Sequence, residues 1–292
     1  MSFLTDSIIV FSKQKIKITI HINIFLPSNK EECYFEMGIL AKNENEVETS
    51  IEILLPIKSE EFQFEDLSNR FIENPDYLRL IFNQTSSVNK NKEFKIGKNE
   101  VIFGNTDISN NKITLRLGED RTRDYYFRFR LKKIKKEKLC LEEETTSFVI
   151  DPFKRFINVA GFHINNIRND KNGRLDLGEN QISIQEINTF FICDITATLI
   201  DSSIPKWSFR LLEDNTWEKY ISSDKNTTKK IIYQFKKMGN EQKENIKDFK
   251  LFVKTSHIAS KNKMYLIYFL ILVVIAIIAN ILSNIIIKLF GA

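Results

Sequence analysis

Polar and apolar residues alternate along much of the chain, most clearly over residues 15–26, where isoleucine occupies nearly every second position. A period of two over this length is typical of a strand with one buried face. Residues 125–134 show the same period, with apolar side chains at Tyr125, Phe127, Phe129 and Leu131 and arginines among the positions between them. Because successive side chains of a strand point to opposite faces, we expect the apolar set to face the core.

Strand patterns recur through the first 255 residues, at 33–41, 49–55, 113–117, 155–167, 182–187, 189–200, 207–212, 217–221, 230–236 and 248–255. Two hairpins are predicted among them, one joining 33–41 to 49–55 and one joining 113–117 to 125–134. Residues 65–82 instead have apolar residues at helical spacing, and Pro75 splits them into two short pieces, so we expect one or two short helices there.

Strands this frequent predict a mainly β fold of sandwich type with minor helices. Near residue 141 a basic run gives way to Glu142, Glu143 and Glu144, which is a plausible domain boundary. We therefore favour two β-sandwich-like domains in series, residues 1–140 and 141–255, and one larger β-rich domain is the alternative.

An uncharged apolar run covers residues 264–287. At about 1.5 Å per residue, a helix of this length crosses the roughly 30 Å hydrocarbon core of a bilayer. The run therefore predicts one transmembrane helix, with a basic linker at residues 256–263 before it and a short tail at 288–292 after it, which is tail-anchor topology. A buried core helix is the alternative, although so long an uncharged run is hard to place in a soluble domain.

The flanking charges predict the orientation of this helix. Three lysines lie just before the run and one lies after it, and the more positive flank of a membrane span normally stays cytosolic. Tyrosines on the entry side and a lysine on the exit side suit the two membrane interfaces. The predicted interface residues are Lys261, Lys263, Tyr265, Tyr268 and Lys288. We expect a single-pass membrane protein with residues 1–263 in the cytosol and the C-terminus on the opposite side.

Composition narrows the functional classes. The chain is 42% hydrophobic and 28% charged, which is the balance of a globular protein with a real core. Its net charge of +5 includes the lysines near the membrane, so it favours contact with an anionic leaflet over binding of nucleic acid. The first 15 residues lack the pattern of a secretory signal, and the three cysteines lack CxxC spacing, so we expect reduced thiols.

Polar residues inside the apolar run form a stripe. Asn280, Ser283 and Asn284 are three and four residues apart and share one helix face, which Ala276 extends. Unpaired amides in hydrocarbon are costly, so the stripe predicts a homo-oligomer assembled through this helix, or a wet pathway. The alternative is that Asn284 reaches headgroup water while the bilayer tolerates Asn280.

The densest positive patch is a candidate binding surface for a phosphate-bearing lipid, a nucleotide or a nucleic acid. Its residues are Arg128, Arg130, Lys132, Lys133, Lys135 and Lys136. Strand geometry directs the interleaved aromatic rings to the opposite face, so we favour a solvated face over a ligand site.

No metal, cofactor or catalytic residue is predicted. Asp170, Asn172, Asp176 and Glu179 match ligand places of an EF-hand-like loop, but Arg168 holds the first place, and a guanidinium has no acceptor atom. A tight turn at residues 172–173 explains the pattern better. The histidines lack metal-ligand spacing, and the phosphate-binding and nucleophile motifs are absent from the sequence, so we expect a protein that is not an enzyme.

These patterns favour a membrane-anchored protein whose cytosolic β-sandwich region is a binding, sensor or interaction module for an unknown protein or small-molecule partner. A membrane-disrupting effector is the alternative, in which transmembrane helices assemble and permeabilise the bilayer, as in some bacterial defence systems. A second alternative is a membrane-tethered enzyme of unrecognised type, because catalytic groups can converge from distant positions.

Overall fold

Most of the alternating segments form strands in the computed structural model. The structure describes residues 2–27, 33–44, 47–82, 88–89, 92–120, 122–147, 151–166, 180–212, 214–221, 229–239, 245–258 and 261–290. The described chain is mainly β, with two sheets and minor helices, as predicted. The calcium-like loop around Asp170 lies outside the described residues, so the prediction of a turn there stays a prediction.

One sheet has eight strands. In spatial order they are β14 (Thr198–Ser202), β17 (Phe249–Ile258), β12 (Asp151–Ile164), β1 (Ser7–Phe11), β4 (Thr49–Leu54), β9 (Lys112–Leu117) and β8 (Asn105–Ser109), with β11 (Cys140–Ser147) also paired to β12.

The other sheet has nine strands. In spatial order they are β15 (Trp207–Leu211), β16 (Lys230–Met238), β13 (Ile182–Asp194), β2 (Ile16–Leu26), β3 (Cys33–Asn43), β10 (Asp124–Ile134), β7 (Asn99–Phe103) and β6 (Glu93–Ile96), with β5 (Gln63–Asp66) also paired to β10.

The core lies between the two sheets. Ile20 of β2 and Phe191 of β13 come from the nine-stranded sheet, and Ile53 of β4 and Phe162 of β12 come from the eight-stranded one, all of them buried in one apolar cluster. The even-numbered isoleucines of β2 belong to this cluster, so its period of two encodes the buried face as predicted.

Both sheets continue across the predicted domain boundary. β1 pairs in parallel with β12, where Ser7 lies opposite His163, and β2 pairs in parallel with β13 along its length. Strands of residues 1–140 are therefore hydrogen bonded to strands of residues 141–255 in each sheet. The division into two domains stays a prediction.

The two predicted hairpins are wrong. β3 lies in the nine-stranded sheet and β4 in the eight-stranded sheet, and the same separation divides β10 from β9. Each connection passes from one sheet to the other. Alternation in each strand identifies a buried face, but it does not distinguish a partner in the same sheet from a partner across the core.

Short helices cover the outer face of the nine-stranded sheet. As predicted, Pro75 separates α1 (Ser68–Glu73) from α2 (Asp76–Phe82). A 3-10 turn (Ser59–Glu61) and the short α3 (Lys136–Leu139) lie elsewhere in the chain. A second apolar cluster, separate from the main core, contains side chains of α1, α2 and α4 (Asp214–Ile221) together with residues of this sheet.

The prediction of a strand over residues 217–221 is wrong, because these residues belong to α4. Trp217, Tyr220 and Ile221 are three and four residues apart, so a helix buries all three on one side, whereas a strand would direct Trp217 and Tyr220 to opposite faces. Burial of this apolar face explains why the helix forms here.

The last described element is α5 (Lys261–Phe290). Side chains of α5 are described from residue 269 to 285. Within the part of the chain that is described in full, no helix is both long enough and apolar enough to cross a bilayer. The transmembrane helix over residues 264–287 therefore stays a prediction.

Candidate functional site

The arginines of the basic run lie beneath α4. Strand β10 alternates as predicted, with Phe127 and Phe129 in the core between the sheets. Arg128 and Arg130 point to the other face of the nine-stranded sheet and are only 0% and 2% exposed. The expectation of a solvated face is therefore wrong for these two residues, because helices cover that face of the sheet.

Glu36 is the acceptor that compensates both arginines. In the pairing of β3 with β10, Glu36 lies directly opposite Arg130. Its Oε1 accepts a hydrogen bond from Arg130 Nε at 2.6 Å, and its Oε2 accepts one from Arg128 Nη2 at 2.8 Å. On the neighbouring strand, Asn23 Nδ2 donates to Oε2 at 2.9 Å. Charge-assisted hydrogen bonds of this kind are the strong ones in proteins.

Tyr220 closes the site from α4. Its hydroxyl donates to Glu36 Oε2 at 2.7 Å and accepts from Arg128 Nε at 3.0 Å. Its backbone oxygen accepts from Arg130 Nη2 at 2.9 Å. The Arg130 guanidinium also lies 4.6 Å from the centre of the Tyr34 ring. Glu36, Arg128, Arg130, Tyr126, Tyr220 and Asn23 together are called the arginine cluster below.

Gly38 makes room for the arginine cluster. It lies between His21 and Arg128 in the register of β2, β3 and β10. A Cβ atom at Gly38 would lie 2.6 Å from the Tyr126 hydroxyl and 2.8 Å from Arg128 Nη1. The Arg128 Nη1 to Tyr126 hydroxyl hydrogen bond, 3.1 Å long, occupies the space that a side chain would need.

Electrostatics keep the arginine cluster charged. Burial raises the pKa of the Glu36 carboxyl, but Arg130, Arg128 and the Tyr220 hydroxyl outweigh this effect and hold the pKa below its usual value. Two guanidiniums against one carboxylate leave one excess positive charge in a buried site. Burial also lowers the pKa of nearby His21 to about 3, so its ring is neutral, and its Nδ1 has no hydrogen-bond partner in the described structure.

The lysines of the basic patch lie apart from the two arginines. A bulge follows Leu131, and Lys133 there adopts a left-handed φ of 58°. Lys132 forms an ion pair with Glu65 at 2.8 Å, and Lys136 forms one with Glu142. The structure therefore separates the predicted patch into two buried arginines and four lysines nearer the surface.

Some of these lysines border a cleft of about 430 Å³. The lysine cleft is lined by Glu60, Glu61, Phe62, Gln63, Lys133, Lys135 and Lys138. Lys138 pairs with Glu61 at 2.6 Å, whereas Lys133 and Lys135 are exposed. The cleft could hold an anionic group against Lys133 and Lys135, although its two glutamates lower the positive potential there.

The cysteines and histidines are buried. Burial raises the pKa of the Cys33 thiol to about 11 and those of Cys140 and Cys193 to about 12, so all three thiols are protonated at neutral pH. Among the described residues, no group of three or more His, Cys, Asp or Glu side chains is placed to hold a metal ion.

The membrane-helix residues lie along α5. Ala276, Asn280, Ser283 and Asn284 are all exposed in the structure. Side chains of the predicted interface residues fall outside the described part of α5 and of the chain around it. These are Lys261, Lys263, Tyr265, Tyr268 and Lys288.

Sequence reasoning missed Glu36, Asn23 and Tyr220. Glu36 is the one charged residue between Cys33 and Ala41, where the other side chains of β3 are apolar or aromatic, and this pattern indicates a buried charge that needs a partner. The sequence does not identify that partner, because Glu36 and Arg128 are 92 residues apart in the chain.

No protein-family model and no curated protein sequence matches this chain. Among solved structures, it is similar to an M1 zinc metallopeptidase of Deinococcus radiodurans bound to a Tyr-Ser-Ala substrate, with a TM-score of 0.34 and 8% identity. That match covers 85% of this chain and 43% of the peptidase, so the chain spans less than half the length of that protein. A yeast delta-COP-I μ-homology domain complexed with a Dsl1 WxWxV peptide matches with a TM-score of 0.19 and 10% identity, covering 89% of this chain and 78% of that one. At these scores neither likeness supports an argument about fold or function.

Proposed function

We propose that this protein is a membrane-anchored binding module, in which α5 crosses the bilayer and the two sheets form a cytosolic interaction region. The observation that carries the proposal is the exposure of α5. The apolar side chains along residues 269–285 are exposed on every side of the helix, including Phe269 at 64% and Leu272 at 62%. A helix that is apolar all round requires burial, and a bilayer provides it.

The flanking residues support the direction of insertion. Lys254, Lys261 and Lys263 lie before the apolar run and Lys288 lies after it, so the positive-inside rule favours a cytosolic location for both sheets. Within this proposal, residues 1–140 and 141–255 both contribute strands to the two sheets of the interaction region.

Lysine substitutions at the centre of α5 test the anchor. Val273→Lys combined with Ile277→Lys places two charges near the middle of the run, each costing about 2.5–3.5 kcal/mol on the insertion scale. The matched control is Val273→Leu with Ile277→Leu. The full-length proteins are mixed with neutral phosphatidylcholine liposomes, floated through a density gradient and then extracted with alkaline carbonate.

We expect the wild type and the leucine variant to float and to resist extraction, and the lysine variant to stay at the bottom of the gradient. Extraction of the wild type by carbonate would reject the anchor. Equal flotation of the leucine and lysine variants would show that another surface holds the protein on the liposome.

A membrane-disrupting effector is the second candidate, and the polar stripe of α5 favours it. Asn280, Ser283 and Asn284 are exposed on one face of a helix that is otherwise apolar in this region. Amides in hydrocarbon gain hydrogen bonds when helices associate. Association of several copies would bring these stripes together around a common axis.

A further inference from the structure

Strand β15 is an uncovered edge of the nine-stranded sheet. It pairs only with β16 in the described structure. All five of its residues are exposed, and three are large and apolar, with Trp207 at 43%, Phe209 at 62% and Leu211 at 57%. Proteins normally protect such edges with charges, bulges or a covering element, so an exposed apolar edge strand is a site for pairing.

The hydrogen-bonding pattern of β15 leaves the backbone groups of the same three residues unpaired with β16. The backbone N–H of Leu212 donates to the Lys230 oxygen at 3.1 Å, in register with the β15–β16 ladder. In an antiparallel ladder only every second residue bonds to the neighbouring strand, so residues 208 and 210 share the phase of 212. The N–H and C=O groups of Trp207, Phe209 and Leu211 therefore point away from the sheet.

Side chains at this edge form an exposed aromatic surface. The Trp207 ring lies 5.6 Å from the Tyr233 ring and the Phe209 ring lies 6.3 Å from it. Tyr233 is itself buried in the core between the sheets. The opposite end of this sheet differs, because the phenylalanine of edge strand β6, Phe94, is only 2% exposed.

The charge at this edge is positive. Strands β15 and β16 contain Arg210, Lys230, Lys236 and Lys237 and no carboxylate, and Lys206 immediately precedes β15. Asp194 and Glu186 of β13 pair with Lys230 and Lys236, and Lys237 Nζ donates to the backbone oxygen of Asp248. Lys206 and Arg210 occupy alternate positions on the face of β15 opposite Trp207 and Phe209, and Glu213 and Asp214 follow the strand.

We propose that β15 binds an extended, acidic segment of a partner protein, which adds to the sheet as a further strand. The partner backbone bonds to the outward groups of Trp207, Phe209 and Leu211, and its alternate apolar side chains contact those three side chains. Its carboxylates lie near Lys206 and Arg210. The proposal rests on the binding role proposed above and assigns that role to one surface.

Two other occupants fit less well. A second copy would bring Lys206 and Arg210 of two β15 strands onto one face of the extended sheet, and like charges on adjacent strands destabilise pairing. A lipid surface would accept the aromatic rings, but hydrocarbon offers no hydrogen bonds to the outward backbone groups. Only an added acidic strand bonds to the outward backbone groups, covers the apolar side chains and places carboxylates near the cations.

Selection and substitution test the proposal. The full-length protein in detergent micelles is used to select short linear peptides from a display library, and the best peptide is synthesised for affinity measurements. Phe209→Pro removes one outward N–H without removing a β15–β16 hydrogen bond, and Phe209→Ala removes the ring but keeps that N–H. Met238→Ala is the matched control, because Met238 is 61% exposed on β16 and lies outside β15.

We expect selected peptides that are rich in Asp and Glu and have apolar residues at every second position. Phe209→Pro should bind about tenfold more weakly than Phe209→Ala, since both variants lack the ring and a tenfold change is what one lost hydrogen bond typically produces. Phe209→Ala should weaken binding less than Phe209→Pro, and Met238→Ala should leave it unchanged. Failure to select any peptide, selection of basic peptides, or equal affinities of the Pro and Ala variants would overturn the proposal.

Hydrogen exchange in the wild type provides a measurement that needs no variant. Protection of the amides of Trp207, Phe209 and Leu211 should rise when the selected peptide is added, and unchanged exchange would overturn the proposal even if Phe209→Pro does not fold. Self-association at β15, or loss of liposome flotation in the 209 variants, would assign the edge to a second copy or to lipid. Because peptide binding is measured in micelles and anchoring by flotation, the two proposals can fail separately.

Discussion

Glu36 accepts hydrogen bonds from two guanidiniums, one hydroxyl and one amide, and it is fully buried. At the scale of single residues, the arginine cluster is a buried charge network in which each member depends on the others. Such networks add little stability relative to a well-packed apolar core, but removal of one partner leaves the rest uncompensated.

Glu36→Gln should therefore destabilise the protein strongly. The amide still accepts hydrogen bonds, but it carries no charge to balance Arg128 and Arg130, and breaking a buried ion pair in this way costs about 3–5 kcal/mol. Glu52→Gln is the matched control, because Glu52 pairs with Lys112 at 2.7 Å while both side chains are partly exposed. We expect the control to change the free energy of unfolding by about 0–1 kcal/mol. Urea titration of both variants measures the difference, and equal losses would contradict the role of burial.

The lowered pKa of His21 predicts that the free energy of unfolding depends on pH. Its pKa in the folded protein is about 3, below the ordinary histidine value of 6.5, because burial disfavours the charged ring. Between these two values the unfolded chain binds a proton that the folded chain does not. Its contribution to stability is thus complete above pH 6.5 and is lost as the pH falls toward 3, at about 1.4 kcal/mol per pH unit.

His21→Leu should remove this part of the pH dependence. Urea unfolding of both proteins from pH 7 down to pH 4 gives the comparison, and the wild type should lose stability more steeply than the variant. Parallel curves would show that the His21 ring does not stay neutral in the folded protein.

At the scale of elements, α4 and α5 owe their positions to different forces. Helix α4 packs Trp217, Tyr220 and Ile221 against the sheet and supplies the hydroxyl and the carbonyl oxygen that complete the arginine cluster. Helix α5 has exposed side chains throughout its described part. In the proposed membrane topology, lipid surrounds these exposed side chains.

Substitution of the polar stripe tests whether α5 drives assembly. Asn280→Leu with Asn284→Leu should reduce crosslinked oligomers in liposomes, because interhelical hydrogen bonds of amides contribute roughly 0.6–2 kcal/mol each in membranes. Ile278→Leu with Leu282→Ile is the control on the opposite face. Dye release from the same liposomes separates the two candidate functions.

Release that requires the asparagines would favour the effector, and retention of dye by an oligomer would favour the anchored module. Release by the double leucine variant would rule out a pathway lined by these amides.

At the scale of the whole molecule, the two halves share their sheets and their core. The main core cluster contains Phe127 of the first half and Phe235 of the second, both fully buried. Parallel pairing of β1 with β12 and of β2 with β13 joins strands of the first half to strands of the second half in each sheet.

We therefore expect the two sheets to unfold in one transition. Phe127→Ala, a core truncation that costs about 3–5 kcal/mol, should lower the urea midpoint reported by the fluorescence of Trp207 and Trp217, which lie in the other half. Val47→Ala, at an exposed position, should leave the midpoint unchanged. A fluorescence midpoint that does not respond to Phe127→Ala would show that residues 141–255 unfold as an independent domain.

Features that depend only on neighbouring residues could be predicted from the sequence. The period of two in β2 and β10 identified their buried faces, and Pro75 marked the division between α1 and α2, because backbone geometry fixes these relations within a few residues. The apolar run over residues 264–287 likewise predicts its own helix, although the bilayer around it stays a prediction.

The pairing of strands, and therefore the contacts between distant side chains, is visible only in the folded protein. The same alternation fitted a hairpin of β3 with β4 and the observed pairing of β3 with β2 and β10, since both bury the same face. Glu36 and Arg128 lie 92 residues apart, and Tyr220 lies 184 residues from Glu36. A guanidinium stays solvated unless distant groups replace its water, so the sequence of β10 alone predicts a charged face. The fold converts it into a buried network by bringing Glu36 and Tyr220 to it.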